Sequence, residues 1–149
     1  MGISYDCFTD AFLNKINEFE LSDLPDDFRD EVVDGYMKRA IADFRKNCKY
    51  DLITTQNDCC RSFMIEIDDS DIDELVEIVS EGMVVQWLKP YVYKQENLEN
   101  VMNTRDYTVY SPAELLMRVG NAYRQANKDY IQMIREYSYN HGDLTDLHI

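Results

Sequence analysis

The sequence predicts a mainly α-helical fold, a small bundle of about four helices that ends in one long helix. Three observations carry this reading. Apolar residues recur at three- and four-residue spacing over long stretches, the 149 residues hold only five Gly and three Pro, and capping signals stand where periodic stretches begin. The length suits one domain, so residues 1–149 are read as a single helical unit. Within it, 1–24 form an N-terminal helix and linker, and 142–149 form a tail. At 45% apolar residues the chain has enough material for a real core.

Phe8, Phe12 or Leu13, Ile16 and Phe19 draw one stripe on the first helix. Pro25 is read as the opening of the second, where its missing N–H costs least, with Asp26, Asp27, Asp30 and Glu31 at the positive end of the helix dipole. Arg45, Lys46 and Lys49 stand at its other end. Phe28, Val32, Tyr36, Ala40 and Phe44 follow a spacing of four, flanked by Val33, Met37 and Ile41. Gly35, inside that helix, suggests a closely packed neighbour, because a mid-helix Gly costs roughly 1 kcal/mol relative to Ala.

Residues 49–69 lose the helical period and read as an irregular loop or short hairpin, with Phe63–Ile67 as its strand. Ser70 then starts a third helix, with Asp73 placed for a capping box. Ile72, Leu75, Val79, Met83 and Trp87 form its stripe, and Met83–Leu88 is apolar almost all round, marking the most buried turn. Pro90 should end or kink the helix near Lys89. After a polar connector over 91–110, with a helical turn at ENLEN, Ser111-Pro-Ala-Glu114 signals the last helix. Its stripe is Leu115, Val119, Ala122 (with Tyr123), Ala126, Tyr130, Ile134 and Tyr137. It is expected to run about 25 residues, roughly 40 Å, to a stop near His141 and Gly142.

The chain has 29 acidic and 15 basic side chains, a formal charge of −14, which disfavours direct binding to phosphate backbones or anionic lipid. The opening MGISYDCFTDAF has no cationic segment followed by an apolar run, so no signal peptide is expected, and Asp6 breaks the myristoylation pattern after Gly2. No run of 18 apolar residues occurs, so no membrane partner is expected. Cys7, Cys48, Cys59 and Cys60 lack metal-ligand spacing and read as free, buried or half-buried thiols of a cytosolic protein.

Candidate chemistry is sparse. His141 and His148 both lie in the last ten residues, away from any nucleophile and base set legible in the sequence. The carboxylate pairs (Asp26 with Asp27, Asp68 with Asp69, Asp71 with Asp73 and Glu74) cluster at helix starts, where negative charge stabilises free N–H groups. DDSDIDE partly resembles a calcium loop but lacks the Gly at position six and the Glu at position twelve. No glycine-rich phosphate motif is present. No catalytic residue, metal or cofactor is assigned, and the expectation is a non-enzyme. Among the 11 tyrosines, Tyr123, Tyr130 and Tyr137 suit core margins. Tyr91, Tyr93, Tyr107 and Tyr110 suit an inter-subunit surface, joined by Phe63 and Ile65 of the mid-chain loop.

EGMVVQWLKPYV (Glu81–Val92), ENLENVMNTRDYTVYSPAELL (Glu96–Leu116) and YSYNHGDL (Tyr137–Leu144) resemble segments of tailed-bacteriophage neck proteins, the helical head–tail connectors or adaptors that attach beneath the portal. The likeness runs from Pro25 onward and rests on the order of elements. It implies a homo-oligomer, a ring of twelve subunits that joins the portal protein to a downstream neck or tail protein. Such a protein is made in the host cytoplasm and resides in the virion neck. DNA would pass through the ring without sequence-specific binding. Twelve copies at −14 sum to about −168, and an acidic lumen repels DNA so that it slides. The same likeness makes Leu144, Leu147 and Ile149 of the tail a docking peg for the portal or another partner. Two other readings stay open: an acidic helical module that sequesters a basic or DNA-binding protein by charge mimicry, and a small enzyme built from dispersed carboxylates.

Overall fold

The computed structural model describes residues 2–17, 29–94, 96 and 112–141, the side chains of Pro112 and His141 excepted. It is mainly helical, with four helices and three two-residue strands among those residues. In chain order they are β1 (Ile3–Ser4), α1 (Asp6–Ile16), α2 (Asp30–Phe44), β2 (Gln56–Asn57), β3 (Ser62–Phe63), α3 (Asp69–Tyr93) and α4 (Pro112–His141). Helix α3 is the axis of the bundle, and α1, α2 and α4 all pack on it.

Each helix forms where its apolar period allows burial along one side. On α1 the buried row is Phe8, Thr9, Phe12 and Ile16. On α4 it is Leu115, Val119, Ala126, Tyr130 and Tyr137, with Ala122, Tyr123 and Ile134 half-buried. This is the row expected for α4, and Pro112 opens the helix as the SPAE signal implies. At 30 residues α4 is longer than the expected 25, about 45 Å end to end. Helix α3 is enclosed on all sides from Ile78 to Leu88. Trp87 meets Phe12 edge-on at 6.2 Å between ring centroids.

Several sequence expectations are corrected. Helix α2 begins at Asp30, because Arg29 is extended (φ −60°, ψ 148°). Its buried row is Val33, Met37, Ala40, Ile41 and Phe44, so the inward face is turned from the expected line and Val32 and Tyr36 are only half-buried. Helix α3 starts one residue before Ser70, and no side-chain cap forms at Asp68, so the Ser70–Asp73 box is absent. It also runs through Pro90 to Tyr93. There the ring deletes one amide near the helix end, while the Lys94 N–H still closes the last turn on the Pro90 carbonyl at 3.0 Å. Ser111, the residues of ENLEN other than Glu96, and the stretch 18–28 containing Phe19, Pro25 and Phe28 lie outside the described residues.

The close packing expected at Gly35 is found at Gly82. A Cβ on Gly35 would meet only the Arg39 guanidinium, at 3.5 Å. A Cβ on Gly82 would stand 2.8 Å from Tyr130 and 2.9 Å from the Ala40 Cβ, so three helices converge on a position that admits no side chain. The Tyr130 hydroxyl seals this crossing by donating to the Ala40 carbonyl at 2.9 Å.

The 49–69 region is an irregular loop with a short hairpin, and its strand is shorter than expected, Ser62–Phe63 in place of Phe63–Ile67. β3 lies between β1 and β2, antiparallel to both, with Ile3 and Gln56 each opposite Phe63. Turn chemistry shapes the rest. Asp51 accepts from the Ile53 and Thr54 amides at 3.0 Å each, and Asn57 accepts from the Cys59 and Cys60 amides.

Candidate functional site

Two polar clusters hold the sheet and loop to the bundle, a third ties α1 to α3, and two outward surfaces stand out among the described residues. The first cluster centres on Arg61, held at φ 49° at the head of β3. Its guanidinium grips Asp34 of α2 with two bonds, 2.9 and 2.8 Å, and reaches Asp6 of α1 at 2.8 Å, with Asp30 at 3.7 Å. The fork geometry of a guanidinium matches this bidentate hold. It also lies 5.9 Å from the Tyr5 ring centre. The Tyr5 hydroxyl donates to Asp58 at 2.8 Å, and Lys38 pairs with Asp58 at 2.9 Å. Burial and the Asp58 bond hold the Tyr5 phenol above its ordinary range, while Lys38 and Tyr5 pull the Asp58 carboxyl below its own. The hydrogen bond to Asp34 raises the Arg61 pKa, even though desolvation opposes it. Asp30, Glu31, Asp34, Gly35, Lys38, Asp58 and Arg61 line a depression of about 380 Å³ there. Its two cations, Lys38 and Arg61, each hold carboxylates of the lining, which makes it a clamp between α1, α2 and the hairpin.

The second cluster pins the loop to α3 and α4. The Lys49 amide donates to the Tyr137 hydroxyl at 3.0 Å, and the Tyr50 hydroxyl donates to the buried Asp71 at 2.6 Å. Burial raises both the Cys48 thiol and the Tyr137 phenol beside it. In the third, Lys15 of α1 donates to Glu77 and Glu81 of α3. Burial raises the Glu81 carboxyl even against Lys15. Burial also opposes the charge on Lys15, but the two carboxylates outweigh it and its pKa rises.

The first outward surface is the side of α4 opposite its buried row. Met117, Arg124, Lys128, Ile131, Arg135 and Tyr139 fall within about 40° of one line along the helix at 3.6 residues per turn. All are exposed, with Met117 at 60%, Ile131 at 41% and Tyr139 at 73%. The helix acids Glu114, Asp129 and Glu136 lie to one side of that line. The second surface is the start of α3, where Glu66, Asp68, Asp69 and Asp73 are exposed. Four exposed carboxylates gather at this end, and Lys49 is the cation beside them, 3.9 Å from Asp71.

Of the interface residues expected from the sequence, Phe63 is fully buried within its own chain. It packs on Tyr5 at 4.8 Å and Phe8 at 5.4 Å, so it presents no surface to a neighbour. Ile65 and Tyr91 are half-buried against the core. Tyr93 is 67% exposed, with its ring edge-on to Tyr123 at 5.9 Å and the two hydroxyls 3.2 Å apart. Burial and Tyr93 push the Tyr123 phenol up to about 12. Tyr107, Tyr110, Leu144, Leu147 and Ile149 lie outside the described residues. Tyr130 and Tyr137, expected at the core margin, are inside it. Cys7, Cys59 and Cys60 are exposed free thiols, against the expectation of buried ones, and only Cys48 is half-buried.

Sequence reasoning missed the Arg61 clamp, Tyr5 and the outer stripe of α4. The isolation of Arg61 among acids was the available signal for the clamp. Among the described residues no group of three or more His, Cys, Asp or Glu side chains is set to hold a metal ion, and no helix is long and apolar enough to cross a membrane. Compared with known protein families, with curated proteins and with solved structures, the chain matches none.

Proposed function

We propose that this chain is an assembly subunit, a head–tail connector of the tailed-phage type that forms a ring beneath a portal and joins it to the tail. The observation that carries the reading is the division of labour on α4, a 30-residue helix with one side in the core and the opposite side exposed along most of its length. A rigid helix with an outer row of its own is suited to forming a wall between neighbours. The polar clusters support the same reading, since Arg61, Asp34, Asp58 and Lys15 are each engaged in holding elements together. The charge of −14 suits a channel along which DNA slides.

The test is to incubate the purified protein with portal rings and image the product. Added density with the symmetry of the portal is the expected outcome. Portal rings left bare at high excess of the protein would overturn the reading.

One observation favours a second reading, the sequestering of a basic protein by charge mimicry. Glu66, Asp68, Asp69 and Asp73 form an exposed acidic end whose carboxylates have no ion-pair partner among the described residues. On that reading the chain forms a one-to-one complex with a basic protein, and the affinity falls steeply with salt. Rings without such a complex would remove it.

A further inference from the structure

We infer that the outer stripe of α4 in one copy docks on the acidic start of α3 in the next, head to tail. This deepens the reading of the chain as an assembly subunit and rests on it. The stripe alternates apolar and cationic side chains: Met117, then Arg124 and Lys128, Ile131, Arg135 and Tyr139. Helix α4 carries four bases against three acids, in a chain whose total is −14. Arg124, Lys128 and Arg135 have no ion-pair partner among the described residues; Arg124 bonds only to Asn121. Exposed apolar groups interleaved with unpaired cations match a surface that is anionic and partly apolar.

The chain itself provides that surface. Glu66, Asp68, Asp69 and Asp73 are exposed at the head of α3, and Met64, 54% exposed, lies just before them. The three cations span 11 residues, about 17 Å of helix. Asp69 and Asp73 span about 6 Å of helix, and the preceding loop extends the acidic row through Asp68 to Glu66. A copy cannot satisfy its own stripe this way. Helix α3 packs on the inner side of α4, so its acids and the stripe lie on opposite sides of that helix.

A seat for the contact is visible beside Arg135. Asn47, Ile131, Ile134, Arg135, Ser138 and Tyr139 line a depression of about 490 Å³. A partner's carboxylate seated there would accept from the exposed Arg135 guanidinium. Because the two surfaces differ, the contact is heterologous, and it propagates to a closed ring or an open filament according to the rotation between copies.

Two charge-reversed proteins test the interface, R124E/K128E/R135E and E66K/D68K/D69K/D73K, by sedimentation at low salt up to about 1 mM. Every substituted side chain is exposed, and circular dichroism checks that each variant folds. Wild type is expected to self-associate and to dissociate as salt rises. Each variant alone is expected to associate at least about 100-fold more weakly, and an equimolar mixture to recover association, since each surface then meets its opposite. A wild type that stays monomeric throughout, a variant that associates like wild type, or two folded variants that fail to recover on mixing would overturn the inference. Portal mixing separates this from the broader reading. If the stripe variant decorates portal rings as well as wild type does, this interface is wrong and the connector stands. If wild type associates through the stripe but ignores the portal, the connector is wrong and the interface stands.

Discussion

Helices α3 and α4 lie against each other, yet they use their surfaces in opposite ways. From Ile78 to Leu88, α3 is enclosed all round, and even Ser80, Glu81 and Gln86 are buried. Helix α4 has a buried row and an exposed row on opposite sides for most of its length. The difference teaches where each helix is constrained. Every position in the centre of α3 answers to packing, whereas the outer row of α4 stands exposed among the described residues.

The largest expected effect is at Trp87. Trp87→Ala removes the biggest side chain of the enclosed segment and its contact with Phe12, and should cost about 3–5 kcal/mol in urea unfolding. A loss below about 1 kcal/mol would show the segment to be loosely packed. Gly82→Ala comes next, at about 1–3 kcal/mol, because its methyl would collide with Tyr130 and Ala40. Repeating it in a Tyr130→Leu background sharpens the comparison, since the penalty should shrink if the crossing of α3 with α4 is its source.

Alkali probes the same enclosed region. Burial above all holds the phenols of Tyr5, Tyr130 and Tyr137 above their ordinary pKa of 10.0. In the unfolded chain they ionise near that ordinary value, so the unfolded state releases protons first. Their contribution is therefore complete below pH 10 and is lost as the pH rises beyond it. The phenolate absorbance of these three should appear together with loss of the circular-dichroism signal. Gradual ionisation of all 11 tyrosines in a still-folded protein would break the claim.

Smaller effects lie on the open faces. Gly35→Ala has room for its methyl and should stabilise the protein by about 0.4–1 kcal/mol in thermal unfolding. Ile131→Gln on the outer row of α4 should change stability by less than about 0.5 kcal/mol. A larger loss there would mean that α4 is not two-sided in the way described.

Periodicity made the helices legible, because a 3.6-residue turn forces buried residues into rows that can be read as spacing. The row Leu115, Val119, Ala126, Tyr130, Tyr137 and the apolar turn Met83–Leu88 were both visible in this way. The same rule leaves the opposite row of α4 in plain view, but it holds mixed residue types and has no period of its own to draw attention. Local signals were weaker guides. Pro90 is tolerated within α3, and Ser70 forms no cap, because packing of the whole helix outweighs a single bond at its end.

Fold class, the four helical segments and the acidic balance thus follow from residue order alone, since spacing and charge are properties of neighbours along the chain. Which glycine is crowded, which aromatic of the hairpin is enclosed and which acids Arg61 grips were decided by the tertiary structure. Arg61 lies 27 residues from Asp34, and Tyr130 lies 90 from Ala40. Contacts across such separations depend on how helices cross, and crossing geometry arises only when the elements pack together.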